Sequence, residues 1–86
     1  MAKLRISYFA WLRERVGHSE EEVALPQGIA TLRELIAWLR ARHAGYEAAF
    51  AEPRLVRAAI NQEFAGPDAA VADGDEVAFF PPITGG

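Results

Sequence analysis

One stretch of this 86-residue chain has both the length and the period to lie as a helix across a sheet: Thr31 to His43. Leu32, Leu35, Ile36 and Leu39 recur at spacings of three and four, which puts them on one stripe. Thr31 followed three residues later by Glu34 makes a capping box, in which the hydroxyl accepts the N3 amide and the carboxylate accepts the cap amide. Trp38 flanks the stripe, and Arg33, Glu34, Arg40 and Arg42 are expected to face water. Arg40 and Arg42 complement the negative helix end, and Gly45 is expected to stop it. A helix of about 13 residues is roughly 20 Å long, enough to cover one face of a small sheet. The rest of the chain must supply that sheet.

Lys3 to Phe9 alternates Leu4, Ile6 and Tyr8 against Lys3, Arg5 and Ser7, the period of a half-buried strand. Phe9, Leu12 and Val16 then change to helical spacing, with Gly17 as the C-terminal cap, so a short helix is expected over about Ala10–Val16. Trp11 lies off that stripe and is expected to be partly exposed. Ser19 to Leu25 reads as a second strand with Val23 and Leu25 inward, and Glu20-Glu21-Glu22 reads as its solvated end. Tyr46–Glu52 is expected to hold no more than a helical turn before Pro53. Leu55 to Ile60 reads as a strand, Asn61-Gln62 as a tight turn into Glu63-Phe64-Ala65, and Asp73-Gly74-Asp75 as the turn that launches Glu76 to Phe80. The order predicts an α+β fold. Its mixed sheet has the first and last strands central and parallel, with the long helix packed on Leu4, Ile6, Val77 and Phe79. That is the β-grasp shape, one domain over residues 1–80 followed by a flexible tail, 81–86.

A formal charge of −3 argues against a nucleic-acid partner. No apolar run reaches the length of a membrane span, and Met1-Ala2-Lys3-Leu4-Arg5 lacks the apolar stretch of a signal peptide. With no cysteine there is no thiolate nucleophile or thiolate metal site, and a cytoplasmic location fits. His18 and His43 stand apart and read as surface residues, so no metal site is expected. Nothing here reads as a self-sufficient enzyme.

What remains is the end of the chain, Pro81-Pro82-Ile83-Thr84-Gly85-Gly86. The prolines cannot donate to a sheet and fix φ near −65°, so they stop the strand and stiffen the start of the tail. Six residues at about 3.3–3.6 Å each reach roughly 20 Å. Glycines without side chains let the final backbone pass through a channel closed to other residues. The pattern suits a carboxylate delivered into another protein.

Ala59-Ile60-Asn61-Gln62 and the run from Asp73-Gly74-Asp75-Glu76-Val77 through Phe79-Phe80-Pro81-Pro82 to Thr84-Gly85-Gly86 resemble the small subunits of molybdopterin synthase. The resemblance extends to the first strand and the Arg13-Glu14 helix. It implies a ubiquitin-like β-grasp sulfur carrier, not an enzyme on its own, whose active site lies on the large subunit of a heterotetramer. In that family an E1-like activating enzyme uses ATP to adenylate the last carboxylate, here that of Gly86, and a sulfur donor turns it into a thiocarboxylate. The sulfur then passes to cyclic pyranopterin monophosphate during molybdenum cofactor synthesis. The carrier itself holds no cofactor. By this resemblance Gly86 carries the reactive acyl group, Gly85 gives clearance, Thr84 and Ile83 line the channel, and Pro81-Pro82 aim the tail. Phe80 projects outward to anchor the partner, the alternative being ordinary core packing. Arg13 falls at a position implicated in contact with the activating enzyme, though by itself it reads as a solvated helix charge. Related carriers for thiamine or tRNA thiolation share Gly-Gly but generally lack the Phe-Phe-Pro-Pro approach. A protein modifier joined through Gly86 to lysines, or a plain interaction module, are the other readings.

Overall fold

A computed structural model describes residues 3–82. The elements run β1 (Leu4–Tyr8), α1 (Trp11–Val16), β2 (Glu20–Val23), α2 (Leu32–Arg40), α3 (Ala44–Ala49), a 3-10 turn (Pro53–Leu55), β3 (Arg57–Ile60), β4 (Glu63–Ala65) and β5 (Glu76–Phe80). The strand order is β2-β1-β5-β3-β4, with β1 and β5 parallel at the centre and the other neighbours antiparallel. This is the α+β, β-grasp arrangement expected from the alternation of periods.

One face of the sheet is covered. Leu4, Ile6, Val77 and Phe79 point from the two central strands into a core closed by Leu32, Leu35 and Leu39 of α2. Tyr46 and Phe50, from the segment read as at most a helical turn, complete that core, each 1% exposed. The Thr31 cap forms as read: its hydroxyl accepts from the Glu34 amide at 3.3 Å, and Glu34 Oε1 accepts from the Thr31 amide at 3.0 Å. The next free amides of α2 are also satisfied, because Leu32 and Arg33 donate to the carbonyls of Ala69 and Pro67 at 2.9 and 2.8 Å. The loop after β4 is thereby docked on the start of α2.

Several boundaries differ from the sequence reading; β2 spans Glu20–Val23 rather than Ser19 to Leu25. The long helix ends at Arg40, because a short turn at Ala41-Arg42 leads into α3, for which His43 is the N-cap. Gly45, expected as a stop, lies inside α3; a Cβ there would meet the Arg15 carbonyl oxygen, so glycine permits close packing of α1 on α3. The third strand starts at Arg57 rather than Leu55, since Pro53 initiates a 3-10 turn in its place.

Candidate functional site

The tail leaves the domain from the end of β5. Strand alternation sends Phe79 and Phe80 to opposite faces. Phe79 is fully buried, edge-on to Phe50 at 4.9 Å between centroids. Phe80 lies half-buried on the face that carries no helix, with its ring 6.0 Å from that of Phe64. Phe80 therefore projects as the sequence suggested, and core packing is set aside. Phe64 is 80% exposed, unusually open for a side chain of its size.

Registers show what surrounds them. Arg57 is opposite Phe80, Ala59 is opposite both Ala78 and Phe64, and Ser7 is opposite Ala78. Small side chains thus form a shallow floor between central strands, flanked by two aromatic rings. A recess of about 440 Å³ opens beside them, bordered by Arg57, Phe64, Gly66 and Phe80. An open apolar sheet face of this kind is what protein interfaces use, with aromatic anchors and an arginine at the rim.

Pro81 and Pro82 come next, half-buried and outside the strand. Ile83, Thr84, Gly85 and Gly86 lie outside the described residues. Because β1 runs parallel to β5, α1 begins at the end of the sheet where β5 finishes. Arg13 is exposed there, one turn after Phe9, which is 51% exposed and whose amide donates to the Phe79 carbonyl at 3.0 Å. The sequence reading put Phe9 on the helical stripe with Leu12 and Val16; it instead lies between β1 and α1 and remains open. Between them Ala10 adopts φ 57°, ψ −134°, a conformation usually left to glycine.

Asn61 and Gln62 take φ 51° and 72°, the left-handed values of a two-residue hairpin turn. The Asn61 side chain donates to Asp75 Oδ1 at 3.0 Å and accepts from the Glu76 amide at 3.0 Å. The β3–β4 turn is thus locked to the start of the strand that carries the tail.

Sequence reasoning missed a polar cluster near the other end of that strand. Glu21 is not solvated like its neighbours: its side chain is 14% exposed. It accepts from the Tyr8 hydroxyl at 2.8 Å, from the Tyr46 hydroxyl, and from Arg42 Nη1 at 3.0 Å, while His18 Nε2 lies 3.1 Å away. Burial alone would raise its pKa, but the hydrogen bonds from Tyr46, His18, Tyr8 and Arg42 outweigh it and lower the carboxyl to about 2. Burial and the bond to Glu21 push Tyr46 up to about 12 and raise Tyr8 further. Arg42 is exposed as expected, and its guanidinium also bonds Glu21 and lies 5.0 Å from the centroids of Trp38 and Tyr46. The signal was present, since Glu21 shares the inward parity of Val23 and Leu25. His43 is exposed as expected, and its Nδ1 accepts from the Gly45 amide at 3.0 Å to cap α3. Among the described residues no group of three or more acidic or histidine side chains could hold a metal ion.

A helix-backed five-stranded sheet with parallel central strands, feeding a terminal segment from its last strand, defines a ubiquitin-like β-grasp domain. Residues 6–86 match the ThiS family, and the chain belongs to it. It is 39% identical over 83 residues to the molybdopterin synthase sulfur carrier subunit of Escherichia coli (strain K12), covering 96% of this chain and 99% of that one. A protein of the same name from Chlamydomonas reinhardtii is 35% identical over 86 residues, covering 98% of this chain and 99% of that one. Among solved structures, H. volcanii small archaeal modifier protein 1 superposes with a TM-score of 0.77 at 30% identity, covering 96% of this chain and all of that one.

Proposed function

We propose that this chain is the sulfur carrier subunit of a molybdopterin synthase. The observation that carries the reading is the end of β5, where a buried Phe79 anchors the strand while Phe80, on the open face, leads into Pro81-Pro82. The names of the relatives at 39% and 35% identity support it.

A carboxylate resists nucleophiles because it is already anionic. In the proposed cycle an E1-like activating enzyme binds the open sheet face and ATP. An oxygen of the Gly86 carboxylate attacks the α-phosphorus, and pyrophosphate leaves. A sulfur donor's persulfide then attacks the acyl carbon and AMP departs, and a second thiol of the donor or the activating enzyme cleaves the S–S bond, which leaves the thiocarboxylate on Gly86 and a disulfide behind. The large subunit takes up the loaded tail, and the sulfur goes to cyclic pyranopterin monophosphate in its site. Phe80 anchors both partners, Phe64 extends the contact, and Arg13 of α1 contacts the activating enzyme. Because both partners need the same tail and face, they bind in turn. The carrier works in the cytoplasm and holds no cofactor of its own.

Intact mass after incubation with ATP, a sulfur donor and the cognate activating enzyme tests this. One oxygen replaced by sulfur adds about 16 Da. Deletion of Gly86 is expected to abolish the gain. An unchanged wild-type mass with an enzyme shown to be active would overturn the proposal.

Likeness to the small archaeal modifier protein favours one second reading, in which the activated Gly86 is joined to lysine side chains of other proteins. Conjugates in cells that vanish on deleting Gly86 would establish it.

A further inference from the structure

A trough of about 490 Å³ lies on the helix side of the domain, between α2 and the start of β3. Leu32, Ile36 and Arg40, spaced four apart, form one wall of about 12 Å. Val56, Arg54 and Arg57 form the other, and Phe50 and Ala58 belong to its floor. The floor is the protein core itself, so it is preformed. A trough of that length matches about four residues of extended chain at 3.3 Å each, better than a compact small molecule.

Its rim is charged in a definite way. Arg40 is paired with Glu47 at 2.6 Å and Arg54 with Glu52 at 3.4 Å. Arg57 has no carboxylate partner among the described residues, its nearest acceptor being the Arg54 carbonyl at 3.4 Å. The Arg54–Glu52 pair is exposed and worth little, so Arg54 exchanges partners at small cost, whereas two hydrogen bonds, at 2.9 Å from Nε and 2.6 Å from Nη2, hold Arg40 on Glu47. Arg54 and Arg57 beside an apolar trough, on a chain of net charge −3, select anionic groups attached to apolar ones. Arg57, Ala58 and Gly66 also border the recess beside Phe64 and Phe80, so the two surfaces meet around the end of the β3–β4 ladder.

We propose that this trough binds an extended peptide segment of a partner protein, with bulky apolar side chains on Ile36 and Val56 and carboxylates on Arg54 and Arg57. The site is separate from the tail chemistry and gives a partner a second hold on the domain beyond the open sheet face.

The test is an NMR titration of the ¹⁵N-labelled full chain with acetyl-Leu-Phe-Leu-Asp-Glu-Asp-amide, and with a control in which lysines replace the three acidic residues. The acidic peptide is expected to give saturable shifts at the Ile36, Val56 and Ala58 amides. The lysine peptide should bind at least tenfold more weakly, and so should the acidic peptide to an Arg54→Gln, Arg57→Gln variant. Absence of saturable shifts at those amides, equal affinity for both peptides, or shifts confined to Phe64 and Phe80 would overturn the proposal. The lysine peptide needs no variant, so the result does not depend on the variant folding. The mass gain at Gly86, measured on the same preparation, reports the carrier reading separately.

Discussion

The Tyr8 hydroxyl donates to Glu21 at 2.8 Å while its ring stacks on Phe79, with centroids 6.0 Å apart and planes inclined by 18°. One side chain therefore links the last core residue before the tail to β2. Tyr46 and Arg42 bond the same carboxylate, so β2 and the α2–α3 region are drawn to one point.

Glu21→Gln is expected to cost about 1–3 kcal/mol, because it removes an anion from half-buried donors. The lowered carboxyl sets the pH dependence. Its stabilisation is fully present above the ordinary value of 4.5 and is lost as pH falls through about 2. Tyr46, raised from 10.0 to about 12, contributes with the opposite sign: that stabilisation is present below pH 10 and lost as pH rises through 12. Urea unfolding at pH 7, 4 and 2.5 checks the acid limb. The wild type should lose more stability across that series than Glu21→Gln.

The cluster also shows where sequence reading stops. Repeating patterns announce the fold: the Leu32–Leu39 stripe, the Leu4–Tyr8 alternation and the Thr31–Glu34 box each appear in the structure where the spacing put them. Phe80 was legible for the same reason, being one residue out of phase with Phe79. Glu21 was signalled only by its parity with Val23 and Leu25, because a charge in a run of three reads as solvent-facing until the tyrosines that meet it are known. Those come from positions 8 and 46, and only the folded chain brings them together. Helix α3 was missed because six residues with one aromatic carry too little periodicity, and its stability comes from packing on α1 and α2. Phe64, in a three-residue strand, has no alternation long enough to assign its face.

Ala10→Gly is expected to stabilise the domain by about 1 kcal/mol. At φ 57°, ψ −134° a Cβ is strained and glycine is not. The gain is reduced by the greater freedom of glycine in the unfolded chain. Ala10→Val should destabilise, since a β-branched side chain tolerates this region less well. Urea midpoints of the three proteins provide the comparison, and a midpoint that falls in Ala10→Gly would show that strain is absent.

Asn61 allows its backbone and side-chain contributions to be separated. Asn61→Gly keeps the left-handed turn at φ 51° and loses the bonds to Asp75 and Glu76, at a cost of about 1 kcal/mol. Asn61→Ala loses both and should cost about 1 kcal/mol more. Thermal unfolding of both variants checks the order. If alanine and glycine cost the same, the turn contributes no strain.

Phe79 and Phe80 are adjacent in sequence and are expected to fail in different assays. Phe79 is fully buried between Tyr8 and Phe50, so Phe79→Ala should cost about 3–5 kcal/mol and reduce every function through unfolding. Phe80 loses less on truncation, because its ring is half-buried and touches the exposed Phe64. Phe80→Ala should weaken binding to the large subunit at least tenfold while the domain remains folded, as anchor aromatics at interfaces do. Phe64→Ala should leave stability within about 0.5 kcal/mol of wild type and weaken the same binding to a smaller degree. Calorimetric titration paired with urea unfolding on each variant separates the cases. Intact binding with a large loss of stability in Phe80→Ala would return Phe80 to the core and leave the open face without its anchor.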